Sequence, residues 1–279
     1  MHEEPGALPP PLKWAGGKRW LVPLLAVIYA PHRDLRLVEP FVGGMAVALG
    51  LRPDRALLAD ANPHVIALYR HLSRGLRVTL PMRNDRAAYY AARERFNALL
   101  REGRGDSAEA AQLFYYLNRT GYNGLCRFNA RGELNVPFGS YRAIRYARGF
   151  EEYAPLLARW ELRCCRFEAI DAGPGDFVYA DPPYDVEFTR YSKEGFAWPD
   201  QVTLADWLAL REGPVVASNQ ATPRILALYR ERGFRVETRP APRRIACNGD
   251  RTPALEMIAT RNLGDALSAA GGAPRSGPA

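Results

Sequence analysis

The chain has 279 residues, 47% hydrophobic and 24% charged, the balance of a soluble globular protein with room for one large domain or one domain carrying an insert. No apolar run approaches the roughly 18 residues a membrane helix needs, and the acidic, Pro-rich start lacks the basic and apolar stretches of a signal peptide, so no membrane association and a cytoplasmic location are expected. The net charge of +8 is carried mostly by arginine, with only Lys13, Lys18 and Lys193 as lysines; it favours an anionic partner such as nucleic acid.

Residues 1–11 read as a disordered arm, and the Gly/Ala/Ser/Pro-rich stretch 264–279 as a disordered tail. Leu35–Val38 predicts a short strand, followed by a glycine turn and a helix over Ala46–Leu51. Arg55–Ala59 predicts a second strand, ending at Asp60. Asn62 caps the next helix, which has Pro63 at its first position and runs to about Arg74. The alternation then stops. Leu80–Arg119 reads as helical, Thr120–Tyr141 as a Gly- and Asn-dense loop, and Arg148–Trp160 as helical again. Strands over Arg163–Phe167, Asp176–Ala180 and Val215–Ala217 follow, with helices over Gln201–Leu210 and Thr222–Glu231. Phe234–Thr238 and Glu256–Thr260 close the sheet as an antiparallel pair. This order predicts an α/β fold: a mostly parallel sheet from residues 12–74 and 161–263, interrupted by an inserted helical domain over 75–160.

Ligands of such sheets bind at the carboxyl ends of the strands. Glu39–Gly44, Asp60 and Asp181–Tyr184 all fall there, far apart in sequence and predicted to meet in space. The most specific of these is Tyr179-Ala180-Asp181-Pro182-Pro183-Tyr184. An exocyclic amine on a nucleobase is a weak nucleophile because its lone pair is conjugated into the ring. Two acceptors that each take one amine hydrogen favour a pyramidal nitrogen with a freer lone pair. Asp181 supplies a carboxylate and Pro182 a carbonyl, Pro182 and Pro183 stiffen the backbone, and Tyr184 offers a ring for stacking.

Glu39-Pro40-Phe41-Val42-Gly43-Gly44 is a tight turn that lets a ligand approach the backbone. It lacks the third spaced glycine of a dinucleotide fingerprint, which argues against NAD. Asp60 stands where an acid can hold ribose hydroxyls. Lys13-Trp14-Ala15-Gly16-Gly17-Lys18 precedes the first strand and is no P-loop. In the block from Asn118 to Gly139, Arg127 and Asn129 alternate with Cys126 and Phe128 as on one face of a hairpin; arginine and asparagine read guanine and adenine edges. The four cysteines form no C-x-x-C pair, so no metal is expected.

Taken in order, these blocks resemble the Dam-type (D12 class) DNA adenine-N6 methyltransferases, over about residues 11–262. Ser218-Asn219-Gln220-Ala221-Thr222, and Arg243-Arg244-Ile245 with Asn248-Gly249, resemble two later elements of that family. The resemblance implies a Rossmann-like methyltransferase sheet with an inserted DNA-recognition domain, S-adenosylmethionine as cofactor and double-stranded DNA as substrate. It implies a bacterial or phage-encoded enzyme that acts on GATC or a related short site, with or without a cognate restriction endonuclease. Trp14, Lys18, Phe41, Gly43 and Asp60 match cofactor-pocket positions, joined by Asp181 and by Asp171 as partner for the cofactor's adenine amine. Asp181, Pro182, Pro183 and Tyr184 match the catalytic tetrad. Asn118, Arg119, Asn123, Leu125, Arg127, Asn129 and Pro137 match the DNA-contacting block. Met45 and Ser140 depart from the family pattern, the latter replacing an arginine. Two readings compete with this one: an RNA base methyltransferase acting on guanine N2 or adenine N6, and a catalytically silent DNA-binding protein.

Overall fold

A computed structural model describes residues 8–185, 196–242 and 254–264. Among the described residues seven strands form one sheet: β1 (Arg36–Glu39), β2 (Ala56–Asp60), β3 (Glu161–Cys164), β4 (Asp176–Ala180), β5 (Val215–Gln220), β6 (Arg235–Ala241) and β7 (Ala254–Arg261). Their order is β3-β2-β1-β4-β5-β7-β6. The first five are parallel, and β7 runs antiparallel between β5 and β6. The chain starts at the centre, steps outward to β3, then returns to the other side of β1. The switch point therefore lies between β1 and β4, where an open α/β sheet leaves a crevice above its carboxyl ends.

Side-chain alternation assigns the strands to two cores. Leu37, Leu58, Phe177 and Tyr179 face one, and Val38, Leu57, Val178 and Ala180 face the other. Burial on both faces explains why β2 and β4 read as continuous apolar runs. The first core is covered by α1 (Val22–Tyr29), α2 (Ala46–Leu51), α3 (Pro63–Leu72), α4 (Arg86–Arg101) and α5 (Ala108–Thr120). The second is covered by α7 (Trp198–Ala209) and α8 (Pro223–Glu231), while the short α6 (Ala154–Leu157) closes the first near β3.

The helix starts follow local chemistry. Asn62 Oδ1 accepts the His64 amide at 2.9 Å, and Asp85 Oδ1 accepts the Ala88 amide at 2.8 Å. Between α4 and α5 the helical stretch breaks at Gly103, whose φ of +70° lets the chain reverse. Residues of α4 and α5, such as Tyr89, Phe96 and Phe114, belong to the same continuous core as Leu37 and Leu58.

Several predicted elements shift. α1 was not predicted, although Leu21, Leu25, Ile28 and Tyr29 repeat at helical spacing and are buried. The third strand slides from Arg163–Phe167 to Glu161–Cys164, because β2, its one partner, ends at Asp60 opposite Cys164. Phe167 turns instead into a 3-10 turn, Phe167–Ala169. The helix predicted over Arg148–Trp160 shrinks to Ala154–Leu157, with Pro155 in its first turn and Trp160 Nε1 tied to the Pro53 carbonyl at 3.0 Å. The arm predicted as disordered through Pro11 is docked from Leu8 onward: Leu12 is in the core, and Tyr153 Oη donates to the Pro9 carbonyl at 2.6 Å. Among the described residues no helix is long and apolar enough to cross a membrane.

Candidate active site

β4 delivers Asp181 to the crevice beside β1. Its carboxylate accepts from Lys18 Nζ, 2.7 Å from Oδ1 and 2.9 Å from Oδ2, and from Ser218 Oγ at 3.0 Å. Tyr179 Oη lies 2.8 Å from Ser218 Oγ. Since Ser218 donates its proton to Asp181, Tyr179 must be the donor to Ser218. Burial pushes the Asp181 pKa up from the ordinary aspartate value, opposed by Lys18 and Ser218. Burial also works against the Lys18 ammonium, but Asp181, Tyr179, Tyr184 and Glu256 outweigh it and hold its pKa well above that of a free lysine.

Tyr184 Oη donates to Glu256 at 2.7 Å and accepts from Lys18 at 3.1 Å. The Lys18 ammonium also sits 5.0 Å from the Tyr184 ring centroid. Pro182 is buried and Pro183 exposed. Gln201 Nε2 donates to the Pro183 carbonyl at 2.8 Å and Gln201 Oε1 accepts from Asn219 at 3.0 Å, which fixes the backbone of the tetrad.

The glycine turn is built against Trp14. Gly43 has φ +43°, and a Cβ there would lie 2.5 Å from Trp14 Nε1. The Gly43 amide donates to Asp60 Oδ2 at 3.0 Å, the Asn62 amide donates to Oδ1 at 2.9 Å, and Tyr69 Oη donates to the Gly43 carbonyl. Asp60 therefore shapes the turn directly. Burial raises its pKa, opposed by those two amides. Glu39, at the end of β1, is buried, and its Oε1 has no hydrogen-bond partner among the described residues. Burial and then the Asp181 charge raise its pKa well above that of a free glutamate. Phe41 lies 5.9 Å from Phe167 and 5.5 Å from Phe196 between ring centroids, an aromatic wall beside the turn.

Asp171 does not join this group. Arg36 and Asp176 pair at the amino ends of β1 and β4, and Asp171 is exposed there, contributing to the field at Arg36. No hydrogen bond joins it to the Asp181 cluster among the described residues.

The Asn- and Gly-rich block does form a hairpin, with Phe128 bridged to Leu134 and the Asn129 amide donating to the Glu133 carbonyl at 2.9 Å. Arg127 is exposed on it and donates to Asn135 Oδ1 at 2.8 Å. Leu125 is half-buried and Pro137 exposed, with its carbonyl held by the Tyr122 amide. Asn123 takes a left-handed φ of +51° and donates its amide to Tyr141 Oη at 2.8 Å.

Three residues expected at the DNA bond to the protein's own backbone. Asn129 Oδ1 accepts the Arg131 and Glu133 amides at 2.9 and 3.0 Å and so closes the turn. Asn118 is buried and clasps the Lys13 backbone, accepting from its amide at 2.8 Å and donating to its carbonyl at 2.9 Å. Arg119 ties the Arg145 carbonyl, at 2.6 Å, to that of Pro11, and burial lowers its pKa. Each meets a backbone group that would otherwise go unpaired. Asn118→Ala should therefore destabilise the fold by about 1–3 kcal/mol and weaken cofactor binding, with the choice of DNA site unchanged. Denaturant melts with calorimetry check this; a variant with normal stability and altered site choice would show that Asn118 touches DNA.

Sequence reasoning missed Glu256, Phe167 and Phe196 as parts of the site. A lone glutamate inside a strand and two phenylalanines outside any motif carry no sequence signal of their own. The Arg243–Gly249 element lies outside the described residues.

A sheet of this order, with a switch-point crevice holding an acidic tetrad and a glycine turn, defines a Rossmann-like enzyme of the methyltransferase kind. The family described as D12 class N6 adenine-specific DNA methyltransferase matches residues 14–243. The chain is 37% identical over 267 residues to the Retron Ec67 DNA adenine methylase of Escherichia coli, covering 89% of this chain and 90% of that protein. It is 36% identical over 259 residues to a DNA adenine methylase of Vibrio cholerae, covering 85% and 90%. To a DNA adenine methylase of Salmonella typhi it is 37% identical over 241 residues, covering 79% and 82%. The chain belongs to the D12 class of adenine-specific DNA methyltransferases, and its activity is site-specific methylation of adenine N6 with S-adenosylmethionine as donor.

Proposed function

We propose that the crevice between β1 and β4 carries out this reaction, with Asp181 as acceptor for the target amine. The observation that carries the proposal is the Asp181 carboxylate held beside a buried ammonium at the switch point of the sheet. One amine hydrogen is accepted by Asp181 and the other by the Pro182 carbonyl, and the Tyr184 ring stacks on the base. The adenine leaves the duplex to reach them, at a cost of a few kcal/mol. Lys18 and Ser218 keep Asp181 ionised.

The residues present fit S-adenosylmethionine. The glycine turn, where even a Cβ would collide with Trp14, offers backbone at close range. Phe41, with Phe167 and Phe196, offers a flat apolar surface for the adenine ring, and Asp60 offers a carboxylate for the ribose. The unpartnered Glu39 oxygen suits a cationic ligand. When bound, this group supplies a methyl on a positively charged sulfur that a nitrogen lone pair can displace directly.

The segment 75–160 serves as the target-recognition region, and its exposed hairpin around Arg127 reads base edges of GATC or a related site. Arg127→Ala should weaken discrimination at one base pair by about 1–3 kcal/mol, seen as relaxed site choice when methylated plasmid is sequenced. Unchanged site choice would move recognition elsewhere on the segment.

The overall test is methylation of unmethylated plasmid by the full chain, followed by digestion to nucleosides and mass spectrometry. N6-methyladenine on DNA is expected. Product on RNA alone would overturn the proposal. Sequencing the plasmid gives the site, and resistance of that site to cleavage identifies any restriction endonuclease it protects against.

A further inference from the structure

Glu256 on β7 belongs to no motif of the sequence, yet it is 2% exposed and bonded into the site. A buried carboxylate needs partners, and among the described residues it has two. Tyr184 Oη donates to its oxygens at 2.7 and 2.9 Å, and Lys18 Nζ lies 3.0 Å from Oε1. Lys18 also donates to Tyr184 Oη at 3.1 Å, so the three close a ring. The same ammonium rests on both Asp181 oxygens, 2.7 Å from Oδ1 and 2.9 Å from Oδ2. One cation is thus shared by two carboxylates, Asp181 after β4 and Glu256 on β7.

Methyl transfer makes two opposed demands on Asp181. It must stay ionised although half-buried, which calls for a cation beside it. It must also keep a lone pair open to the amine, although Lys18 rests on both its oxygens and Ser218 on one of them, so the strength of the ammonium's grip decides how freely the carboxylate accepts. A second carboxylate on the same ammonium loosens that grip while leaving the cation in place. We propose that Glu256 is a positioning residue for methyl transfer: it draws Lys18 toward itself and anchors Tyr184, so that Lys18 neutralises Asp181 without saturating it. The proposal rests on the reading of Asp181 as the amine's acceptor.

Among the described residues, the other groups facing this cluster do not duplicate it. Tyr179 and Ser218, from β4 and β5, donate toward Asp181. Glu39 of β1 and Tyr229 of α8 feel the Asp181 charge and are not cations. Arg239 stands opposite Glu256 in the β6–β7 register, and its guanidinium lies 3.6 Å from Glu237.

The arrangement has a signature in pH. With Glu256 uncharged, Lys18 rests on Asp181 alone and the repulsion between the two carboxylates vanishes. Both changes favour ionised Asp181, so the acid limb of the rate profile moves to lower pH. The plateau rate nevertheless falls, because Asp181 is masked. A loss that is merely structural lowers the rate and leaves the limb in place.

The experiment is single-turnover methylation of plasmid DNA across acidic to mildly alkaline pH by the full chain, Glu256→Gln, Glu256→Asp and Asp181→Asn, with melting curves and cofactor titrations. Glu256→Gln is expected to reduce the plateau at least about tenfold, to leave cofactor affinity within about threefold, and to shift the acid limb to lower pH. Glu256→Asp should restore part of the plateau. A wild-type rate in folded Glu256→Gln, or a reduced rate with an unmoved limb, overturns the proposal. Should Glu256→Gln fail to fold, Tyr184→Phe keeps the ring but removes one contact drawing Lys18 from Asp181. It must shift the limb the same way, and an unmoved limb there also overturns the proposal. If Asp181→Asn keeps its rate, the reading of Asp181 itself is wrong. If Asp181→Asn is inactive while Glu256→Gln is normal, only the role of Glu256 is lost.

Discussion

Asp181→Asn is expected to slow methyl transfer by about three orders of magnitude, a loss of roughly 4 kcal/mol of transition-state stabilisation. The side chains have nearly the same shape, so packing around β4 survives. What changes is charge and hydrogen-bond polarity. The amide nitrogen offers a donor where Ser218, Lys18 and the target amine all need an acceptor. Lys18 keeps Glu256 as a counter-ion, so the variant should fold, and cofactor affinity should change by less than about fivefold. Single-turnover rates and calorimetry separate these effects. Near-normal turnover would remove Asp181 from the reaction. The wild-type profile carries a related sign: the ionised carboxylate is the active form, and burial raises its pKa. The rate should therefore fall with decreasing pH earlier than an exposed aspartate would dictate, and Asp181→Asn should lose that limb.

The second large effect is expected from Gly43→Ala. The added methyl would lie 2.5 Å from Trp14 Nε1 and 2.8 Å from Trp14 Cε2, a rigid ring rather than a flexible tip, and the φ of +43° strains any side chain. Trp14 must leave the turn, and the amide that bonds Asp60 shifts with it. Strain and repacking should cost about 1–3 kcal/mol of stability, and cofactor affinity should drop by at least about tenfold, or 1.4 kcal/mol. Thermal melts with and without S-adenosylmethionine resolve the two. A variant with wild-type affinity would show that the turn does not approach the cofactor.

The strongest local signals survived folding almost unchanged. Asp176–Ala180 and Ala46–Leu51 were legible to the residue, because one is a buried apolar run and the other follows a glycine turn. Asn62 was legible as a cap because capping is chemistry between neighbours in sequence. The edge strand β3 was misplaced because its ends depend on where β2 stops, a fact stored a hundred residues away. Asn118, Arg119 and Asn129 sit in the block that matches DNA-contacting positions, yet each is engaged with the protein's own backbone. Residue type shows which hydrogen bonds are available and not which partner takes them.

By itself the sequence determined the alternation of strands and helices, the glycine turn, and an acid followed by two prolines and a tyrosine at a strand end. These depend on local periodicity and on residues a few positions apart. Only the tertiary structure decided that Phe167 and Phe196 meet Phe41 beside the glycine turn, and that Glu256 shares Lys18 with Asp181. The reason is physical. β7 is the last strand in sequence but inserts beside β5, and the chain segment bearing Lys18 precedes the first strand, so their meeting is set by strand pairing and core packing across more than two hundred residues.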